Sequence, residues 1–257
     1  MPNMKDMQVA HNFFLVGHGG SGKTSQFLTL PGKKFAFLFE PAAFATLKDF
    51  DIDYEYFPLS RVESLYTAAH KALRTVEDED ALPLRRFDSV LQDYMGEGTL
   101  DKYDSILLDS TTSMYEASKQ SVLAMSKRAG SVPDMGDYNV AQINILSTVM
   151  WLAGLGKYVM ITAHPQSPAE KRREYCYIGL GPTRSTPGAG QFTNVLLMER
   201  KDNGRYVACG SRDNDHWPGL GFRTSFPALR EELDVTIADW KNPENYGLGK
   251  LIKESGK

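Results

Sequence analysis

Short apolar runs alternate along most of this chain with longer stretches in which apolar residues recur every three or four positions. The apolar runs predict buried strands, and the longer stretches predict amphipathic helices. The predicted strands are Phe13–Val16, Lys34–Glu40, Asp51–Leu59, Ser105–Asp109 and Tyr158–His164. The predicted helices are a first one that ends near Leu30, followed by Arg61–Val76, Arg85–Gly98, Met114–Ala129 and Asn139–Leu155. Such an alternation is typical of an α/β protein with a mostly parallel central sheet flanked by helices.

The pattern changes in the last quarter of the chain. Two apolar runs, Phe192–Glu199 and Arg205–Gly210, flank the turn sequence Lys201–Gly204. This arrangement predicts a β-hairpin, and we expect its antiparallel strands to lie at the edge of the sheet. Farther on, Trp217–Pro227 is rich in glycine and proline, Pro227–Leu233 predicts a short helix, and the polar chain end is expected to fray.

Two segments lack regular periodicity. Gly130–Tyr138 has the composition of a loop. Pro165–Gln191 is longer, and loops of such length inside a compact domain are usually functional or mobile. Its basic and aromatic residues are Lys171, Arg172, Arg173, Tyr175, Tyr177 and Arg184. This mixture suits single-stranded nucleic acid, because cations attract phosphates and rings stack on bases. Glu170 and Glu174 offset part of the charge, so a surface hairpin with a solvated charge run is the alternative.

Composition changes this picture little. Of the 257 residues, 42% are hydrophobic and 24% charged, as in an ordinary globular protein. The net charge of −3 leaves any nucleic-acid contact to a local basic surface. No apolar run approaches the roughly 18 residues of a membrane span, and Met1–His11 lacks a signal pattern. Cys176 and Cys209 have neither metal-ligand nor disulfide spacing, which indicates a reducing, cytoplasmic setting.

The clearest chemical signal is the sequence G-H-G-G-S-G-K-T at Gly17–Thr24, between the first predicted strand and helix. Glycines let the backbone approach a polyphosphate closely, and the loop amides point at the anion. Lys23 supplies a positive charge for the β and γ phosphates. The residues expected to hold the nucleotide are Gly17, Gly19, Gly20, Ser21, Gly22, Lys23, Thr24 and Ser25. The alternative is a tight strand-to-helix turn without a ligand, but the full pattern favours nucleoside triphosphate binding.

Three further polar residues end predicted strands, where open α/β sheets keep their ligands. Asp109 follows the apolar run Ile106–Leu108 in the Walker B pattern, so Thr24 and Asp109 are the expected ligands of Mg²⁺. Glu40 can orient and activate the water that attacks the γ phosphate. His164 can sense that phosphate and relay the nucleotide state to the loop that follows it. For Glu40 and His164, a solvated strand-end side chain with no special role is the alternative.

The order of these features resembles the RecA-like core of P-loop ATPases. The residues that carry the resemblance are G-H-G-G-S-G-K-T (17–24), F-A-F-L-F-E (35–40), Y-D-S-I-L-L-D-S (103–110) and V-M-I-T-A-H (159–164). Within that group the chain looks most like a small phage-encoded family of RecA-core proteins that includes single-strand annealing recombinases. The resemblance implies a single RecA-like ATPase domain over 1–257, with a core at about 12–210, a helical insertion at about 77–102 and a C-terminal extension at 211–257.

The resemblance also implies roles for particular residues. Glu40 would be the catalytic glutamate, although RecA proteins usually carry an acidic pair where this chain has Phe39 and Glu40. Segments 126–138 and 165–191 would correspond to two loops that face DNA. Arg212 or Arg223 could reach the nucleotide of a neighbouring subunit as an arginine finger, since such ATPases usually work as rings or filaments. The implied cofactors are ATP and Mg²⁺, and the implied partners are single-stranded DNA, a single-strand-binding protein and further copies of this chain.

Three functions are compatible with these features. The first is a Mg-ATP hydrolase that binds single-stranded DNA in phage recombination, annealing or replication, and the order of motifs favours it. The second is a nucleotide-dependent switch or scaffold that binds protein partners without significant DNA affinity. The third is a small-molecule kinase, in which 165–191 would be an arginine-bearing lid. The predicted hairpin and the glutamate on the second strand argue against the kinase.

Overall fold

The computed structural model of the protein describes residues 10–59, 82–128, 131–165, 190–210 and 221–255. The predicted helix Arg61–Val76 lies outside these ranges. So do Arg212 and the basic and aromatic residues of the 165–191 segment: Lys171, Arg172, Arg173, Tyr175, Tyr177 and Arg184.

Strands and helices alternate through the first two thirds of the chain, as the hydrophobic pattern predicts. The strands are β1 (Phe13–Val16), β2 (Lys34–Leu38), β3 (Asp53–Tyr56), β4 (Ser105–Asp109), β5 (Tyr158–Ala163), β6 (Asn194–Arg200), β7 (Tyr206–Cys209) and β8 (Leu233–Asp234). The helices are α1 (Lys23–Thr29), α2 (Ala42–Leu47), α3 (Pro83–Glu97), α4 (Thr111–Met125), α5 (Met135–Ala153) and α6 (Gly247–Ser255). Short 3-10 turns occupy Thr99–Lys102, Pro227–Arg230 and Pro243–Asn245.

Within the described residues, eight strands form one sheet in the order β3-β2-β4-β5-β1-β6-β7-β8. The first six strands in this order, β3, β2, β4, β5, β1 and β6, run parallel to one another, and β1 lies between β5 and β6. Strands β7 and β8 add to the β6 edge in antiparallel fashion, so the predicted hairpin is confirmed. The mostly parallel sheet with antiparallel strands on the C-terminal side is the predicted RecA-like architecture.

Helices cover both faces of the central strands, such as β1 and β4, whose residues are all buried. Consecutive strand residues point to opposite sides, so each of these strands contributes to both faces. Phe14 packs with α3, α4 and α5 on one face, where Phe87, Met114 and Ile145 are fully buried. Phe13 packs on the other face with Phe27 of α1 and with α6. Near-continuous apolar strands such as β1 are therefore explained by burial on two faces.

Several element boundaries differ from the sequence prediction, and two of these differences concern the site and the predicted loop Gly130–Tyr138. Strand β2 ends at Leu38, so Glu40 lies just beyond the strand. Helix α5 begins at Met135, so the predicted loop Gly130–Tyr138 is shorter than its composition indicates. The cause is a capping box: the Asp134 carboxylate accepts from the backbone N–H groups of Gly136 and Asp137, and the Asp137 carboxylate accepts from the Asp134 N–H.

The predicted frayed chain end is wrong, because α6 packs against α1. The Gln26 side chain accepts a hydrogen bond from the backbone N–H of Leu248 at 3.2 Å, and Thr29 Oγ1 accepts one from Gly249 N–H at 3.0 Å. Leu248 and Leu251 are buried in the same apolar cluster as α1. The C-terminal residues are therefore joined to the helix that follows the phosphate-binding sequence. No helix within the described residues is long and apolar enough to cross a membrane.

Gly249→Ala is expected to lower the free energy of unfolding by about 2–3 kcal/mol. A Cβ atom at this position would overlap the carbonyl oxygen of Thr29, so α6 would have to move away from α1. Gly96→Ala in α3 is the matched control, because its Cβ would meet no atom within 4 Å and a helical alanine should be neutral or stabilising. Urea unfolding of both variants measures the difference. Equal stabilities would contradict the packing of α6 on α1.

Candidate functional site

The carboxyl ends of the neighbouring parallel strands β2, β4, β5 and β1 meet at one edge of the sheet. The G-x-x-x-x-G-K-T sequence lies at this edge, between β1 and α1. A cavity of about 360 Å³ opens beside it and is lined by residues of that loop together with Glu40, Asp109 and His164. The three strand-end residues named from the sequence therefore share one cavity with the loop.

Glycines shape the loop, because a Cβ atom at several of its positions would clash or strain the backbone. Gly20 and Gly22 adopt left-handed φ angles of 76° and 84°, which residues with a Cβ rarely adopt. Gly17 runs against β6, because a Cβ atom there would overlap the carbonyl oxygen of Met198. Ser21 Oγ is buried in this loop and has no hydrogen-bond partner among the described residues. A buried hydroxyl without a partner in a loop of this shape fits a phosphate oxygen.

The Lys23 side chain folds over the loop and is only 5% exposed. Its Nζ donates hydrogen bonds to the carbonyl oxygens of Gly17 at 2.6 Å and His18 at 3.0 Å. Burial lowers the pKa of Lys23 to about 8, although the negative charges of Asp109 and Glu40 oppose this shift. The ammonium group is therefore held beside the loop at the position where an anion would enter.

Asp109, the last residue of β4, is buried and accepts a hydrogen bond on each carboxylate oxygen. Thr24 Oγ1 donates to Oδ2 at 2.6 Å, and Thr162 Oγ1 donates to Oδ1 at 2.5 Å. Burial raises the pKa of Asp109, and the bonds from Thr162 and Thr24 offset only part of this effect. A buried carboxylate next to a loop hydroxyl is the donor set expected for one face of a magnesium ion.

Glu40 reaches the cavity because of the register between β2 and β4. The backbone N–H of Phe39 donates to the Asp109 carbonyl at 2.7 Å, and the Phe39 side chain is buried in the core. The next residue, Glu40, lines the cavity. Its carboxylate, and not a side chain at position 39, is therefore the acidic group at the end of this strand.

The Glu40 carboxylate accepts three side-chain hydrogen bonds. Ser110 Oγ and Ser113 Oγ both donate to Oε1, the second at 2.9 Å, and His164 Nε2 lies 3.1 Å from the carboxylate oxygens. Burial alone would raise the pKa of Glu40, but the bonds from His164, Ser110 and Ser113 outweigh it and lower the pKa to about 2. The group is therefore ionised across the physiological pH range.

His164 directly follows β5 and is fixed to the start of α4. Its backbone N–H donates to Thr112 Oγ1 at 2.9 Å, while its ring contacts Glu40. Ser110 caps α4 by accepting from the backbone N–H of Ser113 at 3.3 Å. One helix turn thus positions the glutamate and the histidine together.

Arg223, named from the sequence, is not brought to this cavity. Arg223 lies toward the opposite end of β6 from the loop, where its backbone pairs with Val195 and its Nε donates to the Phe192 carbonyl at 2.8 Å. Its role as an arginine finger for a neighbouring subunit stays a prediction. Arg212 and the nucleic-acid residues of segment 165–191 lie outside the described residues, so their roles also stay predictions.

Several residues that line the cavity or bond to its carboxylates were not named from the sequence as site residues. Tyr206, Ile237 and Trp240 line the cavity. Ser110 and Ser113 bond to Glu40, and Thr162 bonds to Asp109. The hydroxyl run S-T-T-S after Asp109 was a local signal for the two serines. The alternation of β5 was a signal for Thr162, because residues 162 and 164 share one side of an extended chain. No local signal marks the other three, which come from the antiparallel strands and the C-terminal segment.

The residues present fit a magnesium-bound nucleoside triphosphate. The fit rests on the Ser21 hydroxyl without a partner, the glycine cradle and the Thr24–Asp109 pair. No cluster of three or more His, Cys, Asp or Glu side chains suited to a metal is found in the described ranges. In phosphate sites, however, Mg²⁺ uses one or two protein ligands together with substrate phosphates and water. When bound, Mg²⁺ neutralises negative charge that develops on the phosphates.

A glycine loop with a strand-end aspartate, on a parallel sheet of this order, defines a P-loop NTPase of the RecA-like class. The chain belongs to the AAA domain family, whose sequence profile matches residues 10–187. The match covers more than half of the chain, including the loop, Glu40, Asp109 and His164. No curated protein matched the sequence.

Solved structures similar to this chain share little sequence with it. A KaiC-like protein from the archaeon Pyrococcus horikoshii is 13% identical, with 77% of each chain covered and a TM-score of 0.40. An ATPase from the type III secretion system of pathogenic bacteria is 9% identical, with 75% of this chain and 53% of that chain covered and a TM-score of 0.41. The flagellar accessory protein FlaH from Methanocaldococcus jannaschii is 12% identical, with 88% of this chain and 85% of that chain covered and a TM-score of 0.37.

Proposed function

We propose that this protein hydrolyses Mg-ATP and uses the nucleotide state to control its binding of single-stranded DNA, in phage recombination, annealing or replication. One observation carries the hydrolytic part of the proposal. The ionised Glu40 carboxylate lines the same cavity as the phosphate loop, Lys23 and Asp109. A P-loop that only bound nucleotide would not need a carboxylate held there by three hydrogen bonds.

Each residue has a separate role in this proposal. Lys23 and the loop amides bind the β and γ phosphates, and Thr24 and Asp109 hold Mg²⁺. Glu40 orients the attacking water. A carboxylate with a pKa near 2 is a weak base, so it suits an orienting hydrogen-bond acceptor better than early removal of a proton. Catalysis at such a site is mainly positioning and electrostatic stabilisation of the transferred phosphoryl group.

The contact between Glu40 and His164 supports the coupling to DNA. His164 contacts the glutamate and directly precedes segment 165–191 in the chain, whose basic and aromatic residues suit single-stranded nucleic acid. A γ phosphate beside Glu40 would compete with the Glu40 carboxylate as the acceptor of the hydrogen bond from His164 Nε2. Movement of His164 would then change the start of that segment, as order–disorder switches in NTPases do.

The proposal includes self-association into a ring or filament and contact with a single-strand-binding protein. In such an assembly Arg212 or Arg223 would act on the nucleotide of a neighbouring subunit.

The coupling predicts that a non-hydrolysable ATP analogue tightens binding to a labelled oligodeoxythymidine by about 5- to 150-fold relative to ADP. His164→Ala should bring the two affinities together, because the link between Glu40 and the loop is lost. His11→Ala is the matched control, since His11 packs on Phe226 away from the cavity. Fluorescence anisotropy measures both affinities. Equal wild-type affinities with the two nucleotides would contradict the coupling, and no DNA binding in either state would favour the protein-partner switch.

A further inference from the structure

The cavity beside the phosphate loop has a second wall that phosphate chemistry does not use. Its residues are Tyr206 of β7 and two residues of the C-terminal segment, Ile237 and Trp240. We propose that this wall, here called the aromatic wall, holds the nucleoside base, and that Trp240 is its main stacking surface. The inference rests on the proposed nucleotide binding and adds the part of the ligand that the aromatic wall recognises.

The aromatic wall lies close enough to the loop for one ligand to contact both. A Cβ atom at Gly22 would lie 2.7 Å from Cδ1 of Tyr206, so the tyrosine ring packs directly on the last glycine of the loop. Glycine at this position therefore serves two purposes, the left-handed turn and the close approach of the ring. Phosphates in the loop would place the rest of a nucleotide beside Tyr206.

Trp240 presents an aromatic surface that folding alone does not explain. It is 49% exposed, whereas tryptophan is strongly buried on average. Its one described ring neighbour is Phe50, at 6.4 Å and tilted by 48°. A half-exposed indole at the wall of a polar cavity suits a flat, weakly polar ligand such as a base, which stacks on aromatic rings through its π-face.

The segment that carries Ile237 and Trp240 is held in place from two sides. The Val235 carbonyl accepts from Gln26 Nε2 of α1 at 2.8 Å, and the Val235 N–H donates to the Tyr206 carbonyl at 2.8 Å. The Tyr206 N–H donates to Thr236 Oγ1 at 2.9 Å. The aromatic wall is therefore fixed to the helix that follows the phosphate loop. Such preorganisation lowers the entropic cost of binding.

Recognition by stacking favours the nucleotides whose base covers the larger area of the indole ring. A purine offers a larger surface to an indole than a pyrimidine does, so the aromatic wall should favour purine nucleotides. The C-terminal segment would then determine which nucleotides bind tightly, while the loop determines that a triphosphate binds at all.

The test compares ATP, CTP and inorganic tripolyphosphate, each with Mg²⁺, by isothermal titration calorimetry. The wild type should bind ATP more tightly than CTP, and CTP more tightly than tripolyphosphate. Trp240→Ala should weaken ATP binding about 5- to 150-fold and leave tripolyphosphate binding unchanged. Trp240→Phe should restore most of the affinity for ATP, because a ring is again available for stacking.

Three outcomes separate the hypotheses. Unchanged ATP affinity in Trp240→Ala, with normal binding of tripolyphosphate, overturns the base site and leaves the proposed function intact. Equal weakening of ATP and tripolyphosphate also overturns the base site, because the substitution would then act on the loop. Failure of the wild type to bind either ligand overturns the proposed function itself.

Discussion

Glu40→Gln is expected to reduce ATP turnover by about 100-fold or more while ATP remains bound. Glutamine keeps an oxygen that can accept from Ser110 and Ser113, so the start of α4 should keep its structure. The negative charge that orients the attacking water is lost. Steady-state phosphate release and ATP affinity, measured on the same preparation, separate the catalytic effect from the binding effect.

Glu116→Gln is the matched control for this prediction. Glu116 is a partly exposed residue of α4 that pairs with Lys119, and its substitution should leave turnover unchanged. Wild-type turnover in Glu40→Gln would show that another group orients the water. A parallel loss of ATP affinity would show that Glu40 supports nucleotide binding instead.

Asp109→Asn should also reduce turnover by about 100-fold or more, because loss of several kcal/mol of charge stabilisation corresponds to such a factor. The Asp109 carboxylate is the buried anion next to Thr24, and Thr162 fixes its orientation. An amide keeps the size of the group but loses the charge that attracts Mg²⁺. The distinguishing measurement is nucleotide affinity as a function of Mg²⁺ concentration. The affinity should rise with Mg²⁺ in the wild type and stay constant in the variant.

Asp104→Asn is the control for Asp109→Asn. It makes the same chemical change at the residue that directly precedes β4, at the other end of the strand from Asp109. There Asp104 accepts a hydrogen bond from the Lys33 N–H at 2.8 Å. Its turnover and Mg²⁺ dependence should match the wild type. A wild-type Mg²⁺ response in Asp109→Asn would remove Asp109 from the metal site.

The sequence predicts the parts of the site that depend on local pattern. The loop has a fixed spacing, and β4 and β5 are apolar runs that end in a polar residue. Because parallel strands end at the same edge of a sheet, the sequence alone places Asp109 and His164 beside the loop. Glu40 could be expected there too, although its strand ends at Leu38.

The remaining features depend on contacts between residues distant in sequence. The hydrogen bonds from Ser110 and Ser113 to Glu40 join residues about 70 positions apart, and no periodicity encodes them. Trp240 reaches the cavity because the C-terminal segment folds back on α1 through Gln26. The polar composition of the chain end indicated fraying, but Leu248 and Leu251 on one face of α6 are sufficient for packing.

Phosphate release from ATP by the wild-type protein, with Mg²⁺ or with EDTA and with or without single-stranded DNA, is the most direct test of a hydrolytic site at this loop. We predict Mg²⁺-dependent release that single-stranded DNA increases and that EDTA abolishes. Release no faster than in buffer, from protein that demonstrably binds Mg-ATP, would contradict hydrolysis at this site.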